Sequence, residues 1–133
     1  MADIRPVTDT FAVAPQLAPE EIAVAAALGF TFVVNNRPDG ETPDQPASAE
    51  MEALARAAGL GYAHIPVVGS ATPAQVEAMA ALVNAHDGKV LAFCRSGTRS
   101  IVTWSRGCAA AGDDRDWLIE RGAQAGYDLS GVL

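Results

Sequence analysis

The sequence predicts a three-layer α/β fold, with a mainly parallel central sheet flanked by helices. Three observations predict it. Short apolar runs at 11–13, 30–34, 62–65 and 90–93, rich in β-branched and aromatic residues, read as strands. Between them lie helical patterns bounded by prolines, capping residues and glycines. Strand and helix therefore alternate, and such alternation implies parallel pairing through helical crossovers.

The elements follow in order. Residues 1–10 read as a loosely held arm, and the strand at 11–13 ends at Pro15. Pro19-Glu20-Glu21 opens a helix, with proline in the first turn and acids at the positive end of its dipole; Gly29 closes it. After the strand at 30–34 comes a polar loop, 35–46, dense in proline and turn residues. It is longer than an ordinary strand-to-helix connection and leaves the C-terminal end of a strand, where open α/β sheets gather ligands. The helix at 47–58 lines Met51, Leu54, Ala55 and Ala58 along one face and pairs Glu52 with Arg56 on the other. A strand at 62–65 stops at Pro66. Thr72-Pro73-Ala74-Gln75 then has the form of a capping box with proline at the first helical position, and Val76, Met79, Ala80 and Val83 mark that helix's buried face. The strand at 90–93 leads into a helix running from Arg99 to about Ala111, and a last helix spans 115–125 before Gly126.

A chain of 133 residues suits one domain, 1–133. Half of it is hydrophobic and 19% is charged, the balance of a soluble globular protein. The net charge is −7 and no basic stripe is present, which excludes nucleic acid as an expected partner. Two cysteines make no disulfide framework, and together with the lack of a positively charged leader they point to the cytoplasm. No apolar run approaches a membrane span. Three of the nine basic residues nevertheless stand at 95, 99 and 106, a positive island suited to a small anion.

That island surrounds Cys94. A cysteine between a buried strand and a helix start meets converging N–H groups, whose dipoles favour a thiolate. Arg99 adds a fixed charge with the planar geometry to clamp an oxyanion. Gly97 lets the backbone turn its amides inward, and Ser100 is placed to hydrogen-bond the thiolate. Arg95, Ser96 and Thr98 complete the loop with their amides, Arg95 also as a substrate contact. In the long loop, Arg37 and Asp39 divide between a structural pair and the wall of a cleft, and Asp39 or Glu41 could supply an acid. Cys108 shares a helical face with Ile101 and Trp104 and reads as a core thiol; His64 reads as a satisfied strand histidine. No spacing suggests a metal site, and no cofactor is implied.

Tyr62-x-x-Ile65-Pro66-Val67, the capped helix, Gly88-Lys-Val and Cys94…Arg99-Ser100 resemble the dual-specificity and tyrosine phosphatase superfamily. More closely, Val33-Val-Asn-Asn-Arg-Pro-Asp-Gly-Glu41, Phe93-Cys-Arg-Ser-Gly-Thr-Arg-Ser100 and Ala125-Gly-Tyr-Asp128 resemble the phosphatase-like domain of the bacterial beta-lactamase-hydrolase-like proteins. The resemblance implies a tyrosine-phosphatase-like fold and a nucleophilic Cys94. It departs from a working phosphatase at three points. Only residues 95–98 separate Cys94 from Arg99, one fewer than in that superfamily and the length found in rhodaneses. Phe93 replaces the histidine that usually precedes the cysteine, and Gly69 stands about where the general acid would fall.

Expelling an alkoxide or phenoxide gains roughly 10²–10⁴-fold from a proton donor, whereas sulfite leaves thiosulfate without one. The leading expectation is therefore sulfur transfer through a Cys94 persulfide, with thiosulfate or a persulfide as donor. The alternatives are a phosphatase that forms a Cys94 phosphocysteine on a phosphate ester, and a non-catalytic module that senses oxyanions or persulfides. Each takes a small anionic ligand and no nucleic acid or membrane.

Overall fold

The computed structural model describes residues 2–133. Its strands are β1 (Arg5–Pro6), β2 (Phe11–Ala14), β3 (Phe30–Asn35), β4 (Gly61–His64) and β5 (Lys89–Phe93). Its helices are α1 (Glu21–Ala27), α2 (Ser48–Ala57), α3 (Pro73–Ala85), α4 (Thr98–Ala110) and α5 (Arg115–Gln124). One sheet runs in the order β1-β2-β5-β3-β4. Every neighbouring pair is parallel except β1 with β2.

The central strand shows why three layers form. Alternate side chains of a strand face opposite ways, and β5 is apolar on both. Leu91 and Phe93 join Ile22 and Ala25 of α1 and Met51 and Ala55 of α2 in one core. Val90 and Ala92 join Met79 of α3, Ile101 and Trp104 of α4 and Leu118 of α5 in the other. Phe11 of β2 stacks on Trp104 with ring centroids 5.0 Å apart, so the second core is also fixed by an aromatic pair.

Register then places the site. Ala14, Phe93 and Asn35 lie side by side at the C-terminal ends of β2, β5 and β3. The chain leaving each strand at that level supplies Gln16, Cys94 and Asn36-Arg37, and all three segments meet over the C-terminal end of the sheet.

Three details differ from expectation. The arm is not loose: Arg5 and Pro6 pair antiparallel with Val13 and Ala12, Val7 is buried, and the amides of Val7 and Thr8 both donate to Phe11 O. Met1 lies outside the described residues. The first helix begins at Glu21 because Pro19 is taken up in a preceding turn, in which Glu21 N donates to Ala18 O. Its carboxylate accepts from Ala18 N at 2.7 Å. Finally, Leu54 is 37% exposed; α2 buries Met51 and Ala55, while Leu54 sits at the margin of that stripe. The capping box at Thr72 forms with both reciprocal bonds, 3.2 and 3.0 Å.

Candidate active site

Cys94 follows β5 directly and is fully buried. Its amide closes the β2–β5 ladder on Ala14 O at 3.4 Å, and the next peptide accepts from Gln16 N. The chain must then reverse into α4 within four residues. Gly97 makes this possible by adopting φ +89°, a left-handed conformation costly for any residue with a Cβ. The turn aims Gly97 N–H at Cys94 Sγ, 3.1 Å away. Loop amide and helix N-terminus thus both present positive dipole to the sulfur. Ser96 and Thr98 spend their hydroxyls on each other at 3.0 Å and face solvent, so they offer the site their backbone. Tyr127 braces the turn from outside by donating to Ser96 O at 2.8 Å.

Arg99 occupies the first turn of α4. Its Nη1 donates to Glu41 Oε2 and to Val67 O at 2.8 and 2.9 Å, and its Nη2 donates to Glu41 Oε1 at 2.8 Å. Those bonds use three of the five guanidinium N–H groups. Nε–H and one Nη2–H remain, and they form a second edge able to grip an oxyanion. The Glu41 hydrogen bonds first, against some desolvation, and then the nearby Cys94 charge raise the Arg99 pKa further above its ordinary value.

Glu41 sits between two arginines, since Arg37 Nε also donates to its Oε1 at 3.0 Å. The Arg99 hydrogen bonds above all, with those of Arg37 and against some desolvation, lower the Glu41 pKa to about 2. It is a permanent carboxylate near neutrality, so it does not serve as the proton donor considered from the sequence; it holds the arginine instead. Arg37 is buried, with Gln16 and Thr42 completing its partners at 3.1 and 3.3 Å. Asp39 does structural work as well, its Oδ1 accepting Ser48 N at the start of α2 at 2.8 Å. Arg95 is exposed and lines a cleft of about 260 Å³ together with Arg37, Gln16 and Thr42.

Ser100 corrects another expectation. Its hydroxyl donates to Asn36 Oδ1 at 2.8 Å, inside the protein, and is committed there rather than to the sulfur. Asn36 is a residue that sequence reasoning missed: its Nδ2 donates to Ile65 O and its amide to Phe93 O, tying three strand ends together. Asn35 does likewise, with Oδ1 accepting Arg37 N and Nδ2 donating to Tyr62 Oη. The signal was an Asn-Asn pair at a strand's end, where freed backbone groups need side-chain partners. The Gly69 position remains without an acid in the loop after Val67. Cys108 lies apart from the site; burial first, then Asp113, pushes its thiol up to about 12, so it is inert. His64 is satisfied by Arg37 O at 2.8 Å. Among the described residues no group of three or more histidine, cysteine, aspartate or glutamate side chains could hold a metal, and no helix is long and apolar enough to cross a membrane.

Residues 3–111 match the family model of the beta-lactamase hydrolase-like protein, phosphatase-like domain. The chain belongs to this family. A beta-lactamase hydrolase-like protein of Xylella fastidiosa is 34% identical over 125 residues, covering 92% of this chain and 29% of the relative. The phosphatase-like domain therefore spans under a third of that relative's length. A Neisseria meningitidis structure described as a candidate phosphatase superposes with a TM-score of 0.86 at 32% identity, covering 97% of this chain and 92% of that one. Tk-PTP in its active form shares the fold, with a TM-score of 0.77, 20% identity and coverage of 96% and 88%. The fold is tyrosine-phosphatase-like, and the comparisons favour a phosphatase-like hydrolase over the sulfurtransferase that led the sequence reading.

Proposed function

We propose that the phosphatase-like domain is a cysteine-dependent phosphatase of small monosubstituted phosphates, esters or acyl phosphates. The observation that carries this is the contact of Gly97 N–H with Cys94 Sγ beside the unspent edge of Arg99. In the first step the thiolate forms an S–P bond, in line with the breaking P–O bond, while loop amides and Arg99 hold the non-bridging oxygens. The leaving oxygen departs with the bonding pair. A water oxygen then attacks phosphorus, the S–P bond breaks, the thiolate returns, and inorganic phosphate is released with the water's proton passed to solvent.

Glu41 is ionised and Gly69 offers no carboxyl, so neither position protonates the leaving oxygen. The reading accordingly favours substrates whose leaving group departs without a proton. The same feature, with the four-residue spacing between Cys94 and Arg99, supports sulfur transfer as a second reading. One pair of measurements separates them. Wild type should release phosphate from an activated aryl phosphate and Cys94→Ser should not. No phosphate release, with a mass gain of one sulfur atom after thiosulfate in wild type alone, would reject the phosphatase and favour sulfur transfer.

A further inference from the structure

We infer that the cleft beside Arg99 is a substrate subsite in which Arg106 receives the terminal carboxylate of a short aliphatic chain carried by the reacting phosphoryl group. This rests on the phosphatase reading for the identity of the reacting group. The cleft has a volume of about 150 Å³ and lies between the loop after β4 and one side of α4. Val67, Ala71 and Val102 make its apolar walls, with Arg99 and Arg106 both on its lining.

The two arginines differ in one respect. Arg99 is held by Glu41, whereas Arg106 enters no ion pair among the described residues. Its contact is a long bond from Nε to Val132 O at 3.4 Å. That leaves its two terminal nitrogens, the end-on edge of a guanidinium, which matches one planar carboxylate. Arg106 is only half-buried, so a ligand reaches it from solvent.

Spacing sets the length of the ligand. Seven residues are close to two turns of helix, so Arg99 and Arg106 share a side of α4 about 10 Å apart along its axis. A phosphoryl group on Arg99 and a carboxylate on Arg106 are then bridged by a chain of about five methylenes or their equivalent. The walls suit such a chain: Val67, Ala71, Val102 and Val132 are aliphatic, and no aromatic side chain lines the cleft. The Thr98 and Thr103 hydroxyls are engaged by Ser96 and by Arg99 O, and Ser70 is the other hydroxyl on the lining. Joined to phosphorus through an acyl oxygen, as an acyl phosphate, the chain leaves as a carboxylate and needs no proton, which agrees with an ionised Glu41 and a glycine at 69.

The test uses calorimetric binding of two non-hydrolysable probes to the wild-type chain: pentylphosphonate, and its analogue with a carboxylate at the far end. The carboxylate should tighten binding about tenfold in wild type, the usual scale of a charge-assisted hydrogen bond. Arg106→Gln should abolish that gain while binding pentylphosphonate as wild type does, which also shows that the variant is folded. Arg106→Lys should keep part of it. Equal affinity for the two probes in wild type, or a gain that persists in Arg106→Gln, overturns the subsite and leaves the phosphatase reading standing. Failure of wild type to bind either phosphonate overturns both.

Discussion

At the scale of single residues, the site depends on a glycine and a glutamate that do no chemistry. A Cβ on Gly97 would be strained at φ +89° and would collide with the Tyr127 hydroxyl, with Tyr127 Cζ at 3.0 Å and Ala14 O at 3.3 Å. The left-handed conformation alone costs about 1–2 kcal/mol for an L-residue. Gly97→Ala should lower stability by at least that much and cut turnover more than tenfold, because the loop amides lose their aim. Denaturant unfolding and aryl phosphate kinetics check the two effects separately. Glu41→Gln should also lower turnover, and its effect on stability should depend on pH in a defined direction. The folded pKa of about 2 lies below the ordinary 4.5, so the charged carboxylate stabilises the native state. That contribution is complete above about pH 4.5 and disappears as pH falls through about 2. Unfolding curves of wild type and variant should therefore differ at neutral pH and converge in acid; a gap that persists at the lowest pH would show that the glutamate acts by packing alone.

At the scale of elements, the sequence disclosed most where local chemistry decides structure. The reciprocal bonds of Thr72 and Gln75 followed from four residues, and Thr72→Ala should cost about 1 kcal/mol by denaturant unfolding while leaving turnover unchanged. The strand-loop-helix around Cys94 was equally legible, because an apolar run, a glycine and an arginine at that spacing specify local geometry. What remained hidden depends on contacts between segments far apart in sequence. Ser100 faces Asn36 because β3 and β5 are neighbours, a pairing across 64 residues that no local pattern announces. Glu41 binds Arg99 across 58 residues, and that contact turned a possible acid into a fixed anion. The N-terminal arm was misjudged for the same reason: two residues pair with β2 only because that sheet edge is open to them. Sulfur transfer led the sequence reading on a short loop, on Phe93 in place of a histidine and on Gly69 in place of an acid, whereas the comparisons report on the whole scaffold.

At the scale of the whole molecule, β1 and the turn after α5 converge on the Cys94 loop. Arg5 Nη1 donates to Ala125 O at 3.4 Å, and its guanidinium lies 5.2 Å from the Tyr127 ring centre. Tyr127 in turn donates to Ser96 O. The edge strand, the turn after α5 and the Cys94 loop thus form one mechanical series, with the tyrosine as its last link. Removing only the hydroxyl tests that link without disturbing the ring. In Tyr127→Phe the ring keeps its stacking with Arg5, and Ser96 O, which is exposed, can be met by water. Global stability should therefore fall by no more than about 1 kcal/mol. The loop, freed at Ser96, should sample orientations in which Gly97 N–H no longer meets the sulfur, so turnover should fall several-fold with little change in unfolding. A phosphatase-like domain that loses stability and turnover in proportion would instead make Tyr127 a packing residue. Unchanged turnover would mean that Gly97 alone sets the loop.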